Sequence, residues 1–220
     1  MKTLRGLVLP LVLIPVVLST VRYVGHDVAN ALMGLVFFIA LTRFADHNER
    51  IFMVLFSVFS VSFDTGYVAL GFYKFANTSY VPLWNTLGWS VVGLYILKNR
   101  ALLNRVKHSL VYAFLTVFYG ALWILTGTQA SALVFYASAV LAVYVLSLTF
   151  KWPPALFAFA SLMGVLVEFT GTATGIWTYY SGASAAAPPL GFSGMGYASL
   201  LAFIMWLSRM EPAGKHLKGG

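Results

Sequence analysis

The sequence predicts an all-α, polytopic membrane protein with about eight transmembrane helices arranged as two parallel four-helix repeats. Three observations predict this fold: an apolar composition, positive charge confined to alternate loops, and polar positions that match at a constant offset along the chain. Hydrophobic residues make up 60% of the 220 and charged residues only 9%, whereas soluble domains carry about 25% charged residues. We interpret 1–220 as a single membrane domain.

Eight apolar stretches approach the roughly 20 residues that a helix needs to cross a bilayer. The first could also be a cleavable signal peptide, because Lys2 and Arg5 precede it. No small-x-small cleavage site lies before Val21, so we favour a retained helix. The eight predicted spans are 5–21, 27–43, 51–73, 82–98, 109–127, 131–149, 155–177 and 190–208.

The distribution of basic residues predicts the orientation. Twelve of the fourteen Lys and Arg residues lie at the N-terminus, in 43–50, in 98–108, at Lys151 and at the C-terminus. Because cytoplasmic loops are enriched in Lys and Arg, both termini are expected to be cytoplasmic, in the cytoplasmic membrane if the source is prokaryotic. This topology explains the net charge of +8, and no basic face with interleaved aromatics predicts a nucleic-acid partner.

An internal repeat is predicted from the 104-residue offset between Asp64 and Glu168. Each acid is followed seven positions later by a glycine and nine positions later by an aromatic residue. The repeats cover about 5–100 and 109–210. Since four spans separate the copies, the halves share one orientation, and binding sites are expected where such halves meet.

Asp64 and Glu168 are the candidate catalytic residues. A charge in the bilayer core costs roughly 2.5–3.5 kcal/mol on insertion scales, so such residues usually face a functional cavity. Burial and a second nearby carboxylate disfavour the charged form, so we expect at least one acid to be protonated and able to act as a general acid. The alternative is that each acid only hydrogen-bonds to a neighbouring helix.

Aromatic and hydroxyl side chains near the acids are the candidate substrate-binding residues. The aromatics could line a pocket for an apolar, polyunsaturated substrate, or they could form an interfacial belt. Thr172 could hydrogen-bond a helix carbonyl or the carboxylate. The substrate-binding set is Tyr73, Trp84, Trp89, Trp177, Tyr179 and Thr172, with Tyr197 at the same level.

Several chemistries are not predicted. There is no cysteine, and all four histidines lie at span ends or in loops, so no metal set is evident. No aspartate-rich diphosphate motif, phosphate loop, GxSxG or HExxH occurs, and we predict no metal and no cofactor. His26 and Asn30 could line a cavity mouth, while Asp27 is more simply a helix-dipole partner. Asp46 and Glu49 are interpreted as part of a solvated loop.

Two segments resemble known families. The segment from Val167 to Gly182, with Glu168, its glycines and the following Pro188-Pro-Leu, resembles the acid-Gly-Gly-Tyr-Pro pattern of the membrane carotenoid hydratases of bacterioruberin-type pathways. The segment from Phe63 to Tyr73 is similar to the intramembrane acid segments of small integral-membrane terpene cyclases. These resemblances imply protonation of an isoprenoid double bond or epoxide by Glu168 and Asp64, without a metal. The chain is shorter than expected for the carotenoid enzymes.

The sequence therefore favours a membrane-embedded lyase or isomerase that protonates a lipophilic isoprenoid, in cyclisation or hydration. Its expected partners are a lipophilic small molecule and membrane lipid. The alternative is a small proton-coupled transporter, because buried acids also relay protons in carriers. A non-catalytic scaffold is a third option.

Overall fold

The fold is mostly helical. The computed structural model describes residues 5–125, 130–179 and 187–210. In these parts nine α-helices, one π-helical turn and two short strands follow one another. They are α1 Arg5–Val24, α2 His26–Ile39, the π-helical turn Ala40–Phe44, α3 His47–Ala69, β1 Tyr73–Phe75, α4 Leu83–Lys98, α5 Arg100–Leu103, α6 His108–Leu125, α7 Ala130–Phe150, α8 Pro154–Ala173, β2 Trp177–Tyr179 and α9 Ala187–Leu207.

Each predicted span overlaps a helix, and the last two residues of the fifth, 126 and 127, lie outside the described residues. The helices differ in how well they suit a membrane. Five helical stretches in the described residues are long and apolar enough to cross one, and they are compatible with an integral membrane protein. Helix α4 is shorter than the usual spanning length. The five stretches are His26–Phe44, His47–Ala69, His108–Leu125, Leu133–Phe150 and Pro154–Ala173.

The third and seventh predicted spans end too late, because the helices stop at Ala69 and Ala173. The cause is a glycine in the left-handed region after each helix, Gly71 with φ 74° and Gly175 with φ 68°. Only glycine adopts this conformation without a steric penalty, and it reverses the chain after the last turn. Tyr73 and Trp177, predicted to be helical, therefore lie in strands.

The ends of α3 and α8 have the same capping hydrogen bonds. The residues that form them are 104 positions apart, as Asp64 and Glu168 are. After α3, the Phe72 N–H donates to the Tyr67 carbonyl, and after α8 the Ile176 N–H donates to the Gly171 carbonyl, both at 2.9 Å. In each case the glycine N–H donates to the carbonyl three positions earlier. This is the Schellman arrangement, and it directs both chains into strands.

The strands join the two parts of the chain. β1 pairs with β2 in antiparallel orientation, with Tyr73 opposite Tyr179 and Phe75 opposite Trp177. The Ala76 N–H extends the pairing by donating to the Ile176 carbonyl at 2.7 Å. We call this two-stranded element the ribbon.

Four helices, α3, α4, α8 and α9, carry the acids or residues that bind them, and they pack against one another. α3 packs on α4, α8 packs on α9, and the two pairs meet where α3 contacts α9 and α4 contacts α8. α8 also packs against α1, α6 and α7. As a result, 72% of its most apolar 18-residue segment is buried, compared with 22% for the same length of α3. The two acid-bearing helices therefore have different surroundings.

The start of α3 corrects the interpretation of one loop. Asp46 and Glu49 form a capping box, in which each side chain accepts the other's backbone N–H at 2.9 Å. Glu49 is buried and forms a 2.5 Å ion pair with Lys98 of α4. The interpretation of Glu49 as part of a solvated loop was wrong. Glu49 is buried because it pairs with Lys98, which is far away in the sequence and could not be recognised as its partner.

Candidate functional site

Asp64 lies near the end of α3, where two side chains bind its carboxylate. The Tyr73 hydroxyl of β1 donates to Oδ1 at 2.6 Å. The Asn85 amide, from the first turn of α4, donates to Oδ2 at 2.7 Å. Each oxygen therefore has its own donor, and the carboxylate is fixed between the ribbon and α4.

Glu168 holds the corresponding position at the end of α8. Its Oε2 accepts the indole N–H of Trp177 at 3.0 Å and the hydroxyl of Tyr179 at 2.6 Å. Ser193 of α9 also hydrogen-bonds to this carboxylate. Glu168 is thus bound by the ribbon on one side and by α9 on the other, as Asp64 is by the ribbon and α4.

The ribbon brings the donors of the two acids together. Tyr73 and Tyr179 are directly opposite each other, and their ring centroids are 5.6 Å apart. Burial is the main cause that raises the pKa of each phenol, and the nearby carboxylates raise it further. Because both phenols stay neutral at neutral pH, each can donate its proton to a carboxylate in a hydrogen bond. We call Asp64, Glu168 and these donors the paired-acid site.

The predicted aromatic residues lie inside the bundle. Trp84, Trp89 and Trp177 are each at most 4% exposed, which does not fit a lipid-facing belt. Phe75 packs edge-on against Trp177, with centroids 5.6 Å apart. One turn deeper than Asn85 and Ser193, Trp89 stacks on Tyr197 at a centroid distance of 3.5 Å. These rings border the paired-acid site from the ribbon and from the middle of the bundle.

Two predicted residues lie one step away from the carboxylates. The Trp84 indole N–H donates to Nδ1 of His26 at 3.0 Å rather than to an acid. The Thr172 hydroxyl donates to the backbone carbonyl of Glu168 at 2.7 Å. Of the two roles considered for Thr172, the structure has the hydrogen bond to the helix carbonyl. Both residues support the site without touching a carboxylate oxygen in these contacts.

His26 and Asn30 connect α2 to the site through hydrogen bonds. His26 Nδ1 accepts from Trp84, so Nε2 carries the proton and donates to the Ala76 carbonyl at 2.6 Å. The Asn30 side-chain oxygen accepts the Trp84 backbone N–H at 2.9 Å and so satisfies a free donor at the start of α4. Asp27 lies in the first turn of α2, as a dipole partner would.

Asn85 and Ser193 are site residues that sequence reasoning missed. Neither this pair nor the stacked pair Trp89 and Tyr197 falls at the 104-residue offset, because the offset grows in the connection after the strands. A search at the constant offset alone does not align them. With the longer connection of the second half taken into account, Gly88-Trp89 is predicted to fall near Gly196-Tyr197, and the same shift pairs Asn85 with Ser193. Nothing in that pairing alone indicates that the two side chains contact the acids.

Small residues on α8 make room for the aromatic rings. A Cβ atom at Gly171 would collide with the Trp177 indole, and one at Gly164 would collide with the Tyr197 ring. The small face of α8 therefore allows close packing at the level of Glu168. On α3, the corresponding polar face contains Ser57, which hydrogen-bonds to Ser90 of α4 at 2.6 Å.

In the part of the chain that the structure describes, the hydrogen-bond partners of both carboxylates are uncharged. Tyr73 and Asn85 bind Asp64, and Trp177, Tyr179 and Ser193 bind Glu168. Arg22 reaches this end of α8, where it donates to the Thr174 carbonyl at 2.5 Å. Among the described residues, no group of three or more His, Cys, Asp or Glu side chains could hold a metal ion.

An apolar pocket adjoins the Trp89–Tyr197 pair on the side away from the paired acids. Its enclosed volume is about 10 Å³, which is room for about one water molecule. Small residues on α4 and α8 create the space. The lining residues include Phe56, Trp89, Gly93, Ala160, Met163 and Tyr197.

Comparison of the chain with protein-family models, with curated proteins and with solved structures found no match.

Proposed function

We propose that this protein is a membrane-embedded, metal-independent enzyme that protonates a lipophilic isoprenoid, in a cyclisation or a hydration. One observation carries the proposal: two carboxylates inside an apolar bundle are each held by neutral donors and are joined through one ribbon. The resemblance to carotenoid hydratases and small terpene cyclases is part of the same proposal.

The proposed chemistry needs one acid in its protonated form and one as a carboxylate. The protonated acid donates its proton to a carbon of the substrate double bond, and a carbocation forms at the other carbon. In a cyclisation, a second double bond of the substrate attacks this cation and closes a ring, and the second carboxylate then removes a proton from a carbon next to the new cation, so that a double bond forms. In a hydration, the carboxylate removes a proton from the water that adds to the cation.

The neutral donors support both roles. An ionised carboxylate is stabilised by accepting hydrogen bonds, whereas burial favours the protonated acid. Buried aromatic faces beside the acids favour a cationic intermediate. Residues that fix the carboxylates also fix where the proton is delivered, and such orientation accelerates reactions strongly.

The test compares lipid extracts by mass spectrometry from cells with the wild-type chain, with Glu168→Gln and with Asp64→Asn. We expect each amide variant to lower isoprenoid turnover by about a hundredfold or more, since general acid–base catalysis contributes roughly 10²–10⁴-fold. The matched control is Asp27→Asn, an exposed carboxylate on α2, which should keep full turnover. Full activity of Glu168→Gln in folded protein would overturn the proposal.

A second candidate is a small proton-coupled transporter. The matching helix ends and strands in the two halves favour it, because many carriers bind substrate between two structural repeats. Uptake into proteoliposomes that stops when the proton gradient is collapsed would support this candidate. If both acids tolerate amide substitution with only a loss of stability, the protein is a scaffold instead.

We also propose eight spans in two parallel repeats, about 5–100 and 109–210, with both termini in the cytoplasm. The shared capping and strand geometry supports the repeat, and the loop charges support the orientation. Green fluorescent protein fused to either terminus should fluoresce, and alkaline phosphatase at the same places should be inactive. An active phosphatase fusion at one terminus would contradict an even number of spans.

A further inference from the structure

We propose that the α6–α7 hairpin binds an anionic phospholipid. The phosphate lies between Arg105, Lys107 and Lys151, and the acyl chains lie along the exposed apolar side of the two helices. We call these three residues the basic patch. The patch lies at the end of the bundle opposite the ribbon, because α8 leads from the turn after Lys151 to the ribbon. Lipid binding there needs no turnover and goes beyond the proposed function.

Two ring contacts fix how α6 and α7 lie side by side. Tyr112 of α6 meets Tyr144 of α7, and Tyr119 meets Tyr136, in both cases with ring centroids 5.7 Å apart. The later residue of α6 thus meets the earlier residue of α7, with nearly equal spacing on the two helices. The helices therefore run antiparallel in an almost even register.

This register brings the basic residues to one level. Lys107 precedes Tyr112 by five residues, and Lys151 follows Tyr144 by seven. At about 1.5 Å per residue, both lysines lie roughly 8–11 Å beyond the same ring contact. The axes of packed helices are about 8–10 Å apart. Long basic side chains at these two positions, and Arg105 beside them, can therefore reach one phosphate group.

The basic patch has no acidic counterpart on the helices around it. The sequence from residue 65 to residue 167 contains no Asp or Glu, and it includes α4, α5, α6 and α7. Of the acids that the structure describes at this end, Glu49 pairs with Lys98 and Asp46 caps α3. All three residues of the patch are exposed. Like charges that no acid balances attract an anion, and anionic lipids attract basic residues at the membrane surface.

The backbone at Lys151 favours glycine, yet the chain has a cation there. Lys151 follows α7 with φ 55°. This left-handed region disfavours a side chain, and glycine usually occupies it at a helix end. The chain does use glycine in this way after α3 and α8, at Gly71 and Gly175. A lysine at the same kind of position is explained if its charge binds a ligand.

The helix dipole does not explain the other two cations. Arg105 and Lys107 directly precede α6, which begins at His108 and has no acidic residue in its first turn. The start of a helix carries a partial positive charge, so cations are unfavourable there and anions are favourable. A bound phosphate would therefore compensate both the side chains and the helix end.

The apolar surface next to the patch favours a lipid over a free phosphate. Leu110 and Phe114 of α6 and Leu148 of α7 are each more than half exposed. Leu110 and Leu148 each lie one helical turn from a lysine of the patch, and Phe114 lies one turn deeper. A free phosphate would use the cations alone, whereas a phospholipid uses the cations and this surface together.

The experiment is native mass spectrometry of the purified full-length chain in a non-ionic detergent, titrated with dioleoylphosphatidylglycerol or dioleoylphosphatidylcholine. The two lipids have the same acyl chains, so the difference measures the charge of the headgroup. We expect the first phosphatidylglycerol to bind at least about tenfold more tightly, since each basic residue near an anionic lipid contributes roughly fivefold. Equal affinities would overturn the inference.

One variant and its control separate a binding site from general positive charge. Lys151→Gly removes the cation and supplies the residue that the turn favours, so it should weaken phosphatidylglycerol binding about fivefold without lowering the melting temperature. The control is Arg43→Gln, an exposed cation at the same end, next to α2, which packs on α1 and α4. It should leave binding unchanged. Equal weakening in both variants would show that the preference belongs to the whole basic end, and the inference would be wrong.

A second variant and a soluble anion complete the test. Lys107→Gln should also weaken binding about fivefold, and it replaces Lys151→Gly if that variant does not fold. Unchanged binding in Lys107→Gln would contradict the site. Glycerol 3-phosphate, which has no acyl chain, should not displace the lipid at equal concentration; displacement would overturn the assignment to a lipid. Glu168→Gln, at the other end of the bundle, should not change lipid binding, whatever it does to turnover.

Discussion

The end of α3 and the end of α8 have the same backbone but different chemistry. Both helices stop at a left-handed glycine, both form the same capping bonds, and both lead into a short strand. The acid of α3 accepts from Tyr73 and Asn85, whereas the acid of α8 accepts from Trp177, Tyr179 and Ser193. The backbone is shared while the hydrogen-bond donors and the neighbouring helices differ.

This comparison separates the residues that set shape from those that set chemistry. Glycine spacing fixes the reversal of the chain, and it is the same on both sides. Tyr179 corresponds to Phe75 at the 104-residue offset, so the second ribbon donor to Glu168 has no hydroxyl counterpart beside Asp64. The two carboxylates therefore differ in the donors that hold them, although their positions match.

The largest effect is expected where α8 packs most tightly. Gly171→Ala should destabilise the protein by about 3 kcal/mol, because the new methyl group must displace the Trp177 indole and its hydrogen bond. The indole overlaps the added Cβ and donates to Glu168. Gly66→Ala on α3 meets no neighbour and should be neutral or slightly stabilising. Unfolding by SDS, followed by circular dichroism, measures both. Equal stability of the two variants would mean that α8 is not more tightly packed here.

A smaller effect should distinguish the two tyrosines. Tyr73→Phe leaves Asp64 with Asn85 alone. It should cost about 2 kcal/mol, as expected for a hydrogen bond to a charged group. Tyr179→Phe leaves Glu168 with Trp177 and Ser193, so its cost should be about 1 kcal/mol. The same SDS titration applies, with Tyr112→Phe on α6 as the control. A larger loss of stability for Tyr179→Phe than for Tyr73→Phe would contradict the expectation that Glu168 is held by more donors than Asp64.

The smallest difference concerns the two left-handed glycines, Gly71 and Gly175. Alanine at either position should cost about 1–2 kcal/mol, because the left-handed region disfavours a Cβ atom. Gly175→Ala should be slightly the worse variant, since its Cβ would lie 2.8 Å from the Arg22 guanidinium, whereas Gly71 faces open space. Thermal denaturation of both proteins in the same detergent measures this. Identical midpoints would mean that Arg22 moves aside without cost.

The helices and the matching positions of the two acids could be predicted from the sequence, but the ribbon could not. Long apolar runs determine where helices form, and Gly71 and Gly175 already marked matching positions. A very short strand next to an apolar helix has no periodicity that separates it from that helix. Its formation depends on pairing with a strand in the other half of the chain.

The polar partners of the buried acids also could not be predicted from the sequence. Asn85 is distant from Asp64 along the chain, and Lys98 is still farther from Glu49, yet each pair is in direct contact. Contacts between helices depend on rotation and packing, which the apolar pattern alone does not determine. The acids could be recognised because a carboxylate in a hydrophobic stretch stands out, whereas an asparagine at a helix start does not.

The pairing of β1 with β2 bears on how such a chain could arise. Each half, expressed alone, would carry one strand with unpaired N–H and C=O groups, and an exposed strand edge recruits another strand. If the two halves are copies, as proposed above, a half-length polypeptide would find its partner in a second identical molecule, through a twofold dimer. Joining two such genes end to end would leave both acids in place, and it would free one copy to exchange Phe for Tyr at the position of Tyr179.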